Sequence, residues 1–195
     1  LLTIMLFFLP LTITAQRHAN NWLFGEKAGI TFNDCSIRPI PESRMNTLEG
    51  VASYSDSKGN LILYTDGVNA FNSLHEEIEN GAGLKGHHSA TQSAIILPNP
   101  QAEDQYYIFT VSAATVNNGF RYSIVDMTWN EGRGKVIEKN IEINESATEK
   151  LIAVRHKNKK DTWIIMHKWE SNEFLAYLLT DNGLSDSPVV SAAGT

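Results

Sequence analysis

The chain has 195 residues, a formal net charge of −6, one cysteine and 42% hydrophobic residues. The acidic balance excludes a nucleic-acid backbone as partner, because binding phosphate needs a basic face. A lone cysteine excludes an intramolecular disulfide framework, while the length suffices for one domain with a real core.

The first segment, LLTIMLFFLPLTITAQ, is almost wholly apolar from Leu1 to Ile13 and is followed at once by the polar QRHANN. A run this short does not comfortably span a bilayer as a helix. It fits the apolar region of a secretory signal peptide, with Ile13 and Ala15 at the −3 and −1 positions and cleavage before Gln16. No basic leader or initiator methionine precedes it, so the chain reads as truncated at its N-terminus. Residues 1–15 are assigned to the signal peptide and 16–195 to the exported domain, in which no transmembrane helix is expected. Cys35 reads as an inert small residue in a loop.

Beyond Gln16 no long segment shows helical periodicity. The apolar runs are short, rich in β-branched and aromatic residues, and separated by turn residues, which is the all-β pattern. In chain order, NWLFG (21–25), AGITFND (28–34) and IRPIPE (37–42) read as short strands. VASYSD (51–56) and LILYTDG (61–67) flank SKGN, a hairpin turn whose Gly59 admits positive φ. Further hairpins pair SAIILP (93–98) with QYYIFTVSA (105–113), and FRYSIVDMTW (120–129) with KVIEKNIEI (135–143). Two more pair EKLIAVRH (149–156) with DTWIIMHKW (161–169), and EFLAYLLT (173–180) with PVVSAA (188–193). The glutamate-rich LHEEIEN (74–80) reads as a solvated loop.

The strands recur as sets. QYYIFT at 105 aligns with DTWIIM at 161, an offset of 56, and FRYSIVDM at 120 with EFLAYLLT at 173, an offset of 53. GNLILYTD at 59 aligns with QYYIFT at an offset of 46. A period near 50 built from four antiparallel strands is the mark of a propeller blade. The fold expectation is therefore a WD-repeat-like partial β-propeller, with about three complete blades plus outer strands of a closing blade. A single β-sandwich ranks second, because it does not explain the recurring aromatic second strand. On this reading residues 21–42 lack an innermost strand, and further C-terminal blades of the same polypeptide are expected as partners. The open faces would then expose Trp22, Phe24, Ile30 and Phe32 at one end and Leu175, Tyr177 and Leu179 at the other.

The strings NWLFGEKAGITFND, EGVASYSDSKGNLILYTDGVNAFN, NGAGLKGHHSATQSAIILPNP, YYIFT, RYSIVDM and FLAYLLT together carry a resemblance. The chain resembles the N-terminal propeller-like region of large Bacteroidetes surface proteins exported by the type IX secretion system. The resemblance implies secretion to the outer cell surface. It also implies a continuation into PKD-type immunoglobulin-like repeats and a gliding-motility-associated C-terminal sorting domain. It supplies no catalytic residues.

The stretch GLKGHHSATQSAIILP poses the question of a site. Adjacent side chains on a strand point to opposite faces, so His87 and His88 rarely ligate one ion. No H-x-x-x-H or C-x-x-C spacing exists, and neither a metal nor a cofactor is expected. Gly86 would permit a tight turn, with a histidine bonding nearby backbone. Loops leading into inner strands line the faces where propellers bind ligands, so His87, His88, Thr91 and Gln92 are binding candidates. Asp66, before Gly67, reads first as a turn former and second as a candidate. Trp129 and Trp169 lie at strand ends and are candidates for stacking on sugar, whereas Trp163 is expected in the core.

Catalytic signatures are missing. SDSKGN does not match the Asp-box of sialidase-type propellers, Arg38, Arg44, Arg121, Arg133 and Arg155 are scattered, and no Gly-x-Ser-x-Gly elbow occurs. The reading favoured by the sequence is a non-catalytic binding or scaffold module with an extracellular glycan or protein as partner. The alternative is an extracellular propeller hydrolase or lyase acting on polysaccharide.

Overall fold

A computed structural model describes residues 17–33, 36–113, 116 and 119–194. The expected signal peptide and Cys35 lie outside these residues. The described chain is all-β. Strands β1 (Asn21–Leu23), β2 (Gly29–Thr31) and β3 (Arg38–Pro39) form a small antiparallel sheet. A first meander follows, β4 (Ala52–Ser55), β5 (Leu61–Thr65), β6 (Asn69–Asn72) and β7 (Glu77–Ala82). A second comprises β8 (Ala94–Pro98), β9 (Gln105–Val111), β10 (Phe120–Asp126) and β11 (Lys135–Asn144). The last sheet holds β12 (Leu151–Arg155), β13 (Thr162–His167) and β14 (Glu173–Thr180). The short β15 (Gly183–Leu184) and β16 (Val189–Ala192) share the far edge of β14.

Every hairpin read from the sequence is present. The LHEEIEN segment, expected as a solvated loop, instead turns at residues 73–75 and enters β7 at Glu77. Ile78 anchors that strand at 1% exposure, while Glu77 and Glu79 face solvent. One apolar residue among three glutamates offers no alternation to read. The two meanders are joined by a parallel bridge between Lys135 and Glu79, which makes one eight-stranded sheet. That sheet is doubled over, so its edge strands β4 and β8 lie against each other. β12 touches β8 in turn, and β1 touches β4. Residues 21–23, expected as a middle strand, thus sit beside the strand that opens the first meander.

Alternation along the strands divides the core between successive layers. On β9, Tyr106 and Ile108 pack with Leu63, Ile78 and Val136 of the doubled sheet. Tyr107, Phe109 and Val111 point the other way and pack with Leu151, Ile164, Met166 and Tyr177 of the last sheet. Tyr64 and Phe71 of the first meander pack with Leu23 and Met45. Each meander is therefore apolar on both faces, and the layers are stacked face to face.

The stack has two outer faces. Trp22 and Phe24 are exposed on the first sheet, as expected, while Ile30 and Phe32 are half-buried. At the other end the expected set is corrected. Leu175, Tyr177 and Leu179 are buried against the second meander. The outer face instead carries Ile152, Val154 and Phe174, all exposed, with half-buried Trp163, Ile165 and Leu178. Trp163 is thus not in the core, and its ring lies 5.8 Å from that of His156. Strand parity is the cause: EFLAYLLT is apolar on both faces, so nothing local says which face is covered.

Burial also loads the core with neutral tyrosines. It pushes the Tyr106 hydroxyl up to about 12, with Tyr54, Asp104 and Asp56 adding to the rise. Burial likewise raises Tyr54, Tyr64, Tyr107 and Tyr122 above the ordinary value of 10.0. Groups whose folded values are raised contribute stability that is intact below the unfolded value and lost as pH climbs through the folded one. The urea midpoint is therefore expected to fall between pH about 10 and about 12, and Tyr106→Phe should lessen the fall. A midpoint equally sensitive in parent and variant would sink this account.

Candidate functional site: an aromatic cleft beside the last sheet

The histidine loop is a latch. Gly86 donates its backbone N–H to the Gly67 carbonyl (2.9 Å), and the Ser93 hydroxyl donates to the Asp66 carbonyl (2.8 Å). The His88 carbonyl accepts from Leu48 and Glu49 backbone N–H groups at 3.0 and 3.3 Å and from the Thr47 hydroxyl at 2.7 Å. His87 Nδ1 accepts from the Ser89 backbone N–H (3.2 Å), and the two imidazoles lie against each other, tilted, with centroids 4.2 Å apart. Backbone and ring contacts thus engage both histidines in closing the turn that delivers β8. Asp66 is 4% exposed, and its Oδ1 accepts the Val68 and Asn69 N–H groups at 2.8 and 2.6 Å. It forms the turn before β6 and lines neither the aromatic cleft nor its adjoining pocket.

The same loop carries Thr91 outward. Its backbone N–H and hydroxyl both donate to Glu149 Oε2, at 3.0 and 2.8 Å. This contact fixes the loop against the chain leading into β12. There a cleft of about 440 Å³ opens, lined by Thr91, Thr148, Glu149, Lys150, His167, Trp169 and Phe174. Register pairs His167 with Phe174 across β13 and β14, and their rings meet at 4.7 Å. Trp169 sits in the β13–β14 turn, 45% exposed, and Phe174 is 39% exposed. Beside them Lys168 donates to Glu173 at 2.8 Å and holds its carboxyl below the usual carboxylate range. A narrower pocket continues from Phe174 to Gln92, Ile152 and Ile165. Gln92 also lines a third space of about 430 Å³ among β1, β4, β8 and β12.

The structure therefore brings Thr91 and Trp169 into one cleft and places Gln92 in the adjoining pocket. His87, His88 and Asp66 belong to the latch. Trp129 lies at the distant β10–β11 turn, with Lys135 Nζ 4.7 Å over its ring and Lys135 bound to Glu79 at 2.8 Å. Its 48% exposure agrees with the expectation for that strand end, but it does not join the cleft. Sequence reasoning missed Glu149, Lys150, His167 and Phe174. The available signal was the HKW…EF hairpin, whose register places His167 opposite Phe174.

An exposed indole and phenyl ring beside a carboxylate, a hydroxyl, an ammonium and an imidazole offer an apolar platform with a hydrogen-bonding rim. Glu149 is the one carboxylate among the described lining residues, and it accepts from Thr91. Glycoside hydrolysis ordinarily takes two flanking carboxyl groups. Among the described residues no helix is long and apolar enough to cross a membrane. No family model matches the chain, and no curated protein or solved structure is significantly similar to it.

Proposed function

We propose that the protein is a non-catalytic recognition module of β-propeller type, working at the outer cell surface and binding an extracellular glycan in the Trp169–Phe174 cleft. The observation that carries this reading is the pair of exposed aromatic rings flanked by Thr91, Glu149, Lys150 and His167. Sugar rings present apolar C–H faces and equatorial hydroxyls, which match a stacking platform with a polar rim. The layered meanders, with β1, β4, β8 and β12 side by side, support the propeller reading. So do the recurring strand sets and the resemblance to type IX-exported surface proteins. The single carboxylate in the cleft favours binding over hydrolysis.

A second reading, a protein partner, is favoured by the apolar outer face of Ile152, Val154 and Phe174, because contiguous apolar patches mark interaction surfaces. Glycan arrays and calorimetry separate the two. Trp169→Ala is expected to weaken glycan binding by about tenfold or more, the usual loss on truncating a central aromatic anchor. Trp129→Ala should leave binding unchanged. Undiminished affinity in Trp169→Ala excludes this cleft. If Val154→Lys abolished capture of a protein that Trp169→Ala still bound, the second reading would replace the first. Release of reducing sugar ends would make the protein a hydrolase.

A further inference from the structure

A second cleft, of about 420 Å³, lies on the other side of the last sheet, between β11 and the β14–β15 turn. Three carboxylates line it, Glu138, Glu142 and Asp186, and no lysine, arginine or histidine does. Arg121 pairs with Glu142, which leaves Glu138 and Asp186 to set the local charge. At the floor is Tyr107, whose ring is in the core and only 4% exposed. Its hydroxyl makes no hydrogen bond among the described residues and opens onto the cleft. The hydroxyl itself is therefore reached from the cleft, where water or a ligand completes its hydrogen bonding. Tyr122 packs against it at 5.3 Å between ring centroids and, like it, lines the cleft. Burial, then the neighbouring Tyr122 and Glu138, raises the Tyr107 phenol, while burial, then the Glu138 charge and a hydrogen bond to that carboxylate, raises Tyr122, so both stay neutral. Ile141 and Leu184 form an apolar wall.

We propose that this cleft binds an alkylammonium group, with the cation between Glu138 and the two tyrosines and its hydrocarbon stem along Ile141 and Leu184. An ammonium has three donors and no acceptor, which suits a site of carboxylate and phenol oxygens. Tyrosine faces add attraction for a cation. An anion is repelled here, and a neutral polyol can hydrogen-bond to the carboxylates but lacks the charge attraction an ammonium has. The proposal shares no residue with the aromatic cleft and stands or falls independently of it. The group could arrive as a free diamine or as a lysine side chain.

Titration of the full chain, followed by calorimetry, tests this with cadaverine, 1,5-pentanediol, glutarate and N-acetyl-lysine methylamide. Cadaverine is expected to bind, more weakly as salt rises, whereas pentanediol and glutarate are not. Glu138→Gln should weaken cadaverine roughly threefold, the scale of an exposed ion pair. Tyr107→Phe, which removes only an unbonded hydroxyl, should weaken it roughly fivefold. Equal affinity for the lysine derivative identifies a side chain as the source, and binding of cadaverine alone identifies a free diamine. No cadaverine binding, equal binding of pentanediol, or unchanged affinity in both variants overturns the proposal.

Discussion

Phe109→Ala is expected to lower folding stability by about 3–5 kcal/mol, the range for truncating a fully buried phenylalanine. The ring is 0% exposed on β9. It stacks on Tyr107 at 5.4 Å and on Phe120 at 5.9 Å, within the cluster that joins the second meander to the last sheet. Removing it leaves a cavity that rigid strands on both sides cannot close. Natural domains have only about 5–15 kcal/mol in reserve, so the change should shift the urea midpoint strongly. Phe174→Ala, at 39% exposure on the outer face, should cost about 1 kcal/mol or less. If both variants lost the same stability, the two layers would not be packed as described. A single cooperative transition in the parent is also expected, because every meander shares a face with its neighbour.

Gly67→Ala is the second large effect, expected at about 2–3 kcal/mol. Gly67 has φ +85, and an added Cβ would come within 1.9 Å of Ser93 Oγ. The left-handed conformation costs a non-glycine residue about 1–2 kcal/mol. Displacing Ser93 breaks its hydrogen bond to the Asp66 carbonyl, worth about 1 kcal/mol more. The damage should extend beyond stability, since Ser93 and Gly86 together hold the loop that presents Thr91 to the aromatic cleft. Denaturation of the variant, with glycan titration, checks both parts. Gly132→Ala is the control: its φ is also positive, at +86, but no atom lies within 4 Å of an added Cβ. Equal losses in the two variants would show that backbone strain alone, and not the latch, matters at Gly67.

Much of this molecule is legible in its amino-acid order. Alternating apolar residues and turn residues such as Gly59 specify strands and hairpins through neighbours a few residues apart, and the register follows from each short loop. The recurrence of QYYIFT in DTWIIM likewise anticipates equivalent second strands, β9 and β13. The turn role of Asp66 was readable because a short side chain beside glycine bonds its own backbone.

The tertiary structure alone decided which face of each strand is covered. Leu175 and Phe174 are equally apolar to a reader of the sequence, yet one is buried and the other walls a cleft, because only one side of β14 meets the second meander. The cleft itself joins Thr91 to Trp169, 78 residues along the chain, through Glu149 and the His167–Phe174 pair. The unbonded Tyr107 hydroxyl was equally hidden. A sequence pattern records spacing along one strand, whereas such sites arise from the stacking of layers, in which distant side chains meet only after every face has been assigned.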